Sequence, residues 1–260
     1  LAIARHAAEL GMHLVLADID ELALVEAAKS LNLKSERRLL CRQVDVSKAA
    51  SVQALADAAF DSCGQVDLLF NNAGVGGGGN VWELDEDYWQ WVLGANLWGV
   101  IHSLRVFLPI MIGQGSDGHV VNTASTAGLA GRPGTGSYVV TKSAVLALTE
   151  VLWHELKRDG VAISASVLIP HIRGAVTRTL RPKEFINQGQ EDQVELDLER
   201  YYERLSVSQG RTDYPTADEI ADDVIGAIRE ERFYIISRPD IGHGIAMSRA
   251  EAIIDGRTPT

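Results

Sequence analysis

Short, nearly continuous apolar runs alternate along this chain with longer segments in which apolar residues recur at helical spacing. The runs are typical of strands buried on both faces, and the longer segments are typical of amphipathic helices. This order predicts an α/β fold, a doubly wound parallel sheet with helices on both faces. The predicted strands cover residues 12–18, 38–46, 66–74, 118–125, 161–170 and 232–236.

Helices are predicted before and between these strands. Ser47 is expected to cap the third helix and Gly64 to end it, while Pro109 should kink or end the fifth. No internal repeat or low-complexity linker interrupts the pattern, so residues 1–260 are expected to form a single Rossmann-like domain. The predicted helices cover residues 1–10, 20–31, 47–64, 84–93, 96–113, 137–160 and 216–231.

A polar stretch at about 171–214 departs from this alternation. Apolar side chains recur within it at helical spacing, which predicts a helix that packs one face against the rest of the protein. Two interpretations stay open: a surface helical insertion, or a lid over a site at the strand ends. The side chains at this spacing are Val194, Leu198, Tyr201 and Leu205.

Composition narrows the classes of function. Hydrophobic residues make up 46% of the chain and charged residues 23%, which is ordinary for a globular protein. The net charge of -11 argues against nucleic-acid and anionic-membrane partners, because its field repels both. Cys41 and Cys63 have neither disulfide-framework nor metal-ligand spacing, and no apolar run is long enough for a membrane span. A cytoplasmic protein without a metal site is expected.

The sequence GSYVVTKSAV places Tyr138 and Lys142 one helical turn apart, so both side chains should leave the helix on one face. A neighbouring ammonium favours the phenolate and lowers the pKa of a tyrosine, which can then exchange a proton with an alcohol or carbonyl. Ser125 ends a predicted strand, and its hydroxyl could orient the same oxygen. On its own, a Tyr-x-x-x-Lys pair is usually just a solvated helix face.

Other polar motifs follow neighbouring predicted strands. NNAG (71–74) ends in a glycine that permits close approach of a ligand, although an ordinary turn uses the same residues. Asn96 begins an otherwise apolar helix, where it is either a site residue or an N-cap. Asp18 and Asp45 close two more predicted strands, at the edge where ligands collect in open α/β sheets.

In this order and spacing, Asp18, Asp45, NNAG, Asn96, Ser125, Tyr138 and Lys142 resemble the short-chain dehydrogenase/reductase family. The resemblance covers residues 1 to about 170 and resumes in the C-terminal helix and strand. It implies hydride exchange between a secondary alcohol and a ketone with a nicotinamide cofactor. Tyr138 would then be the general acid/base, and Lys142 would assist it and hold the nicotinamide ribose. Ser125 would bind the reacting oxygen, and Asn96 would position a water in the proton relay.

The segment LADID favours NAD over NADP. A carboxylate at Asp18 accepts hydrogen bonds from ribose hydroxyls and repels a 2′-phosphate, and Ile19 and Asp20 follow it rather than a basic residue. The alternative role of Asp18, an N-cap of the next helix, is compatible with this one. The resemblance also implies a set of cofactor contacts at Ile19, Asp45, Val46, Asn72, Ala73, Gly74 and Pro170.

The sequence departs from the family at two places. The family begins with a strand and a glycine-rich turn that holds the pyrophosphate, whereas this chain opens on LAIARHAAEL, without Met and already helical. We therefore expect an upstream segment to be missing, with a gap in the sheet, and GVGGGGN (74–80) to be a loop at the cleft. After Pro170, His171 replaces the usual glycine and Arg173 an apolar residue. His171 could contact substrate or be an ordinary loop residue.

Two functions are compared: an active NAD-dependent oxidoreductase, and a catalytically silent dinucleotide-binding or scaffold protein of the same fold. Four catalytic residue types in register favour the enzyme. The helices at 96–113 and 137–158 resemble those that pair in the family's dimers and tetramers, so a homodimer or homotetramer is expected. Four aromatic residues could line an apolar pocket, which suggests a hydrophobic or aromatic substrate; the alternative is that they belong to the core. They are Trp82, Trp98, Tyr201 and Tyr202.

Overall fold

The computed structural model describes residues 1–33, 36–172 and 214–259. Strands and helices alternate as predicted, each strand a few residues shorter than its apolar run. The strands are β1 (Leu14–Asp18), β2 (Leu39–Gln43), β3 (Leu68–Asn71), β4 (Gly118–Thr123), β5 (Ile163–Ile169) and β6 (Tyr234–Ile236). The helices are α1 (Ala2–Glu9), α2 (Glu21–Ser30), α3 (Ala49–Cys63), α4 (Glu86–Leu93), α5 (Gly99–Gln114), α6 (Gly136–Asp159), α7 (Ala217–Arg229) and α8 (Pro239–Ile254).

All the described strands pair in parallel, in two groups. β1 pairs with β2, and a second sheet has the order β3-β4-β5-β6. Within the described residues no ladder joins β1 to β3, so the sheet is interrupted where the sequence predicts a missing strand. Within each sheet the parallel order brings the carboxyl ends of the strands to one edge, which is where this class of fold binds ligands.

The main core lies between the second sheet and the helices α3, α5 and α6. Val120 and Val167, on neighbouring strands, are fully buried in it, as is Val145 on α6. A polar chain crosses this core: the Asn71 amide donates to Asn122, and the Asn122 amide donates to Thr149 on α6. These two hydrogen bonds fix the ends of β3 and β4 against α6, because buried polar groups keep their partners.

One long helical element runs over residues 86–114, made of α4, a π-helical turn at Gly94–Trp98, and α5. The predicted helical stretches 84–93 and 96–113 correspond to α4 and α5, which the π-helical turn joins, and Pro109 lies inside α5 without ending it. By length and composition the element could cross a membrane, with a mean hydropathy of 1.4 in its most apolar window. Its apolar side chains Phe107 and Met111 are buried in the core, and 39% of that window is buried in all.

Two predicted caps also differ in the structure. The N-cap of α3 is Lys48, and the hydroxyl of Ser47 donates to the Asp45 carboxylate at 2.6 Å instead. The N-cap of α2 is Asp20, whose carboxylate accepts from the Ala23 amide, so the alternative role of Asp18 as a cap was wrong. The sequence pattern also missed α8. The helix predicted at about 171–214 lies outside the described residues, apart from the ends of that stretch.

A buried histidine makes folding stability sensitive to pH. His119 on β4 is 4% exposed, and its Nε2 lies 2.7 Å from the Ser166 hydroxyl, which itself donates to the Arg232 carbonyl. Burial lowers the pKa of His119 from 6.5 to about 4, against a weaker opposing effect of Glu231. The unfolded chain therefore binds the proton first as the pH falls, and stability is lost from pH 6.5 down towards 4.

Between neutral pH and pH 4, the parent chain should lose up to about 3 kcal/mol more unfolding free energy than the His119→Gln variant, which has no imidazole at this position to protonate on unfolding. Urea unfolding at a series of pH values measures this. The exposed His154→Gln variant is the matched control and should follow the parent chain. Equal pH dependence in the His119 variant and the parent would contradict the assignment.

Candidate active site

Lys142 lies at the centre of the candidate site, on the second turn of α6. It is 5% exposed, and its ammonium donates to the Thr123 carbonyl at the end of β4, at 2.8 Å. The Nζ atom is 5.8 Å from the centroid of the half-buried Tyr138 ring, so both side chains share one face of the helix. Burial lowers the pKa of Lys142 to about 8, which leaves it protonated at pH 7.

Asn96 lies in the π-helical turn and is fully buried. Its Oδ1 accepts from the Val75 amide at 2.7 Å, and its Nδ2 donates to the Val75 carbonyl and to Thr141 on α6. The N-cap alternative was therefore wrong, because the side chain reaches across to a different segment. A π-helical turn inside an α-helix is frequent at functional sites, and here it carries the side chain that holds the NNAG loop against α6.

Gly74 occupies a position that larger residues cannot share. A Cβ atom added there would lie 3.0 Å from the Asn96 Oδ1 and 3.4 Å from the Lys142 Nζ. The backbone of residues 72–74 is exposed. A ligand can therefore approach this backbone closely, with the polar atoms of Asn96 and Lys142 directly behind it.

Ser125 follows β4 and begins a 3₁₀ turn at Thr126–Leu129, where its hydroxyl accepts from the Ala127 amide. The turn packs on α6, since the Ser143 hydroxyl donates to the Gly128 carbonyl at 2.9 Å. The Thr126 amide donates to the carbonyl of Pro170 at the end of β5. These bonds place Ser125 between the ends of β4 and β5, over the helix that carries Tyr138 and Lys142.

The glycine-rich loop 74–80 borders the site, as the sequence predicts. The Gly79 amide donates to the Gly134 carbonyl, and Gly79 forms a parallel bridge with Thr135 just before α6. The Tyr88 hydroxyl accepts from the Gly78 amide at 2.9 Å. The loop is thereby held against the N-terminus of the helix that carries Tyr138.

The other sheet carries the carboxylates predicted to bind the adenosine half of a cofactor. Asp18 and Ile19 are exposed at the end of β1, and the Asp18 carbonyl accepts from the Val44 amide. Asp45 lies at the end of β2, where its carboxylate accepts from Ser47. Val46 packs against Gly99, and its carbonyl lies 3.1 Å from the His102 Nδ1. All four residues lie at one strand edge.

Comparison with known proteins decides the family. A family model described as short chain dehydrogenase matches residues 1–184. The chain is a short-chain dehydrogenase/reductase. Its three-dimensional structure resembles a short-chain dehydrogenase/reductase from Burkholderia phymatum solved in complex with NAD, with a TM-score of 0.88 and 41% identity over 100% of this chain and 91% of that one.

Curated relatives support the same family. A "CLA biosynthesis dehydrogenase/reductase" from Lactiplantibacillus plantarum is 33% identical, over 98% of this chain and 89% of the relative. A 1-deoxy-11-beta-hydroxypentalenate dehydrogenase from Streptomyces avermitilis is 31% identical, over 92% of this chain and 80% of the relative. Both are named as dehydrogenases, so this short-chain dehydrogenase/reductase belongs among oxidoreductases.

Sequence reasoning did not identify two partners within this short-chain dehydrogenase/reductase site. Thr141 bonds Asn96 and is buried, and the Thr123 carbonyl accepts from Lys142. Thr141 lies between Tyr138 and Lys142 in the sequence, so its position was a signal for it, whereas a backbone carbonyl leaves no signal in the sequence. Trp82 and Trp98 are 78% and 48% exposed, on the surface rather than in the core, and the remaining two aromatic residues lie outside the described residues.

Proposed function

We propose that this protein is an NAD-dependent oxidoreductase that interconverts a secondary alcohol and a ketone. The observation that carries the proposal is the buried ammonium of Lys142, beside the Tyr138 ring and hydrogen-bonded to the end of β4. A desolvated cation next to a phenol at the ligand-binding edge of a parallel sheet is an arrangement suited to proton transfer.

The residues present suit a nicotinamide dinucleotide. The exposed Asp18 carboxylate would hold the hydroxyls of the adenosine ribose, with Ile19, Asp45 and Val46 beside the adenine. The backbone of residues 72–74 would lie along the cofactor, because Gly74 leaves room next to Lys142. Tyr138, Lys142 and Pro170 complete the proposed contacts. When bound, the cofactor would supply the nicotinamide ring that accepts a hydride from the alcohol carbon.

Tyr138 is proposed as the general acid/base. Its phenolic oxygen takes the hydroxyl proton of the alcohol, and returns it in the reverse direction. The ammonium of Lys142 stabilises the ionised phenol, an effect that is stronger in a desolvated site than in water. Ser125 donates a hydrogen bond to the same substrate oxygen and stabilises the charge that develops on it.

Asn96 is proposed as a positioning residue. Both hydrogens of its amide are used within the protein, on Val75 and Thr141, so the side chain fixes the loop in front of Lys142. Its predicted place in a proton relay through water stays a prediction. The relay would continue from Lys142, which donates to Thr123.

We also propose a homodimer or homotetramer that pairs through α5 and α6. The support is a set of large apolar side chains that these helices and the π-helical turn leave partly exposed, Trp98, Ile112, Val140 and Val151. Apolar surface of this kind is typical of subunit interfaces. A monomer mass by light scattering would contradict this proposal.

The test is turnover of a panel of secondary alcohols and ketones, followed by the near-ultraviolet absorbance of reduced nicotinamide. We expect turnover with NAD and at least about tenfold lower kcat/KM with NADP, because Asp18 repels a 2′-phosphate. Calorimetry of NAD binding accompanies the assay. With a protein that includes any segment upstream of residue 1, tight NAD binding without turnover of any compound would favour the silent dinucleotide-binding alternative, and absence of NAD binding would overturn both.

A further inference from the structure

His171 is held next to the proposed catalytic residues by contacts on several sides. It follows Pro170 at the end of β5, and its amide donates to the Ser237 hydroxyl at 2.8 Å. Its ring stacks on Tyr214, with centroids 5.4 Å apart, and its Nδ1 lies 3.1 Å from the Thr126 hydroxyl. Thr126 adjoins Ser125, so the imidazole is fixed beside the proposed oxygen-binding residue.

The other ring nitrogen of His171 has no use within the described protein. Nε2 is buried and has no hydrogen-bond partner in the part of the chain that the structure describes. Burial and the charges of Arg132 and Arg238 lower the pKa of His171, against an opposing effect of Asp240. The ring is thus neutral at pH 7, and in the tautomer in which the Thr126 hydroxyl donates to Nδ1 the ring proton lies on Nε2. A buried N–H without a partner is costly, so a ligand that accepts from it gains an unusually favourable bond.

Arg132 supplies a charge that acts on His171, since it is one of the cations that lower the pKa of that residue. It lies in the loop between the 3₁₀ turn and α6, and its carbonyl accepts from Thr135. The side chain is half-buried, and no carboxylate of the described residues lies within ion-pair distance of it.

Further positive charge surrounds this point. The Arg249 guanidinium donates to the Leu129 carbonyl at the end of the 3₁₀ turn, at 3.1 Å. Arg238 lies near His171 as well, but its guanidinium is bonded to Asp240, which neutralises most of its charge. Among the described residues, Arg132 and Arg249 therefore remain as cations able to form a new ion pair there, and of these two Arg132 acts electrostatically on His171.

We propose that Arg132 and His171 bind a carboxylate carried by the substrate, so that the substrate is a hydroxy acid and the product its oxo acid. This inference rests on the proposed function and adds the substrate class. A guanidinium binds a carboxylate through parallel N–H bonds, and the Nε2–H of His171 donates to a remaining lone pair. The carboxylate would lie beside the turn of Ser125, which orients the hydroxyl-bearing carbon towards Tyr138.

The experiment measures binding rather than turnover. The protein with saturating NAD⁺ is titrated calorimetrically with acetate, butanoate and octanoate, and with the primary amide of each acid. We expect at least one acid to bind about tenfold more tightly than its amide, since a hydrogen-bonded charge pair is replaced by a neutral contact. A shift of the His171 Nε2 resonance in nitrogen NMR should accompany binding of the acid.

Arg132→Gln should bring acid and amide to equal affinity, whereas the exposed Arg105→Gln should keep the difference. His171→Phe should lower the binding of both acid and amide, because an oxygen of either accepts from the Nε2–H, and should keep the preference for the acid that Arg132 confers. Equal affinities in the parent protein, or a difference that survives Arg132→Gln, would overturn the proposal. Weaker NAD⁺ binding in Arg132→Gln would also overturn it, because the cation would then serve the cofactor. Acid binding without turnover of any alcohol would leave the subsite standing and reject the proposed reaction.

Discussion

Tyr138→Phe is expected to lower kcat by about a thousandfold while the protein still binds NAD, because the variant keeps the ring and loses the hydroxyl that exchanges the proton. The half-buried ring keeps its place on α6, and the removed atom is a single oxygen. Steady-state kinetics with the best substrate of the panel and calorimetry of NAD binding measure the two effects. The loss should appear in kcat rather than in the affinity for substrate.

The matched control for this variant is Tyr234→Phe. Tyr234 lies on β6, is 48% exposed, and donates to Glu150 on the surface. This variant makes the same chemical change at the amino end of β6, away from the carboxyl ends of the strands, so its kcat should equal that of the parent. If Tyr138→Phe keeps more than about a tenth of the parent kcat, the phenol is not the acid/base and the enzymatic mechanism proposed here is wrong.

Asn96→Ala is expected to lower the free energy of unfolding by about 3 kcal/mol and to lower kcat as well. The truncation leaves the amide and carbonyl of Val75 without their partner and removes one of the two hydrogen bonds of the Thr141 hydroxyl, and each lost bond of this kind costs about 1 kcal/mol. The loop in front of Lys142 loses its attachment to α6, which is why activity falls too. Urea unfolding and the turnover assay measure the two effects.

Asn80→Ala is the control for the stability effect. The Asn80 amide donates only to Glu83 within the same loop, at an exposed position, so its loss should change stability by less than about 0.5 kcal/mol. A fall in kcat of Asn96→Ala without a stability change would contradict the positioning role. It would point instead to direct contact between Asn96 and the substrate or its relay water.

The periodicity of the sequence was sufficient to predict the sheet. Strands buried on both faces must be apolar throughout, so segments such as ISASVLI leave a signal that needs no knowledge of their neighbours. Helix ends were less predictable, because side chains that could cap a helix also have other partners. Ser47 is an example: its hydroxyl turns back to Asp45, and the helix begins after Lys48 without a side-chain cap.

The candidate site was predictable as a set of residues but not as a set of contacts. Motif order indicates Tyr138, Lys142 and Ser125, because their chemistry is specific to residue type. The role of Asn96 depends on Val75 and Thr141, which are distant along the chain and meet only after folding. The unpaired nitrogen of His171 is likewise a property of burial, which no local pattern shows.

The π-helical turn has a consequence for how the long helix can vary. Its buried positions recur every fourth residue, at Tyr88, Val92, Asn96, Val100 and Leu104. In a regular α-helix each such step would rotate the buried face by about 40°, and the widened turn absorbs part of that rotation. Deleting one residue between 94 and 98 would restore regular α-helical winding. The buried faces of the two ends of the helix would then no longer point in the same direction. Insertions and deletions should therefore be far less acceptable here than in the adjoining loop.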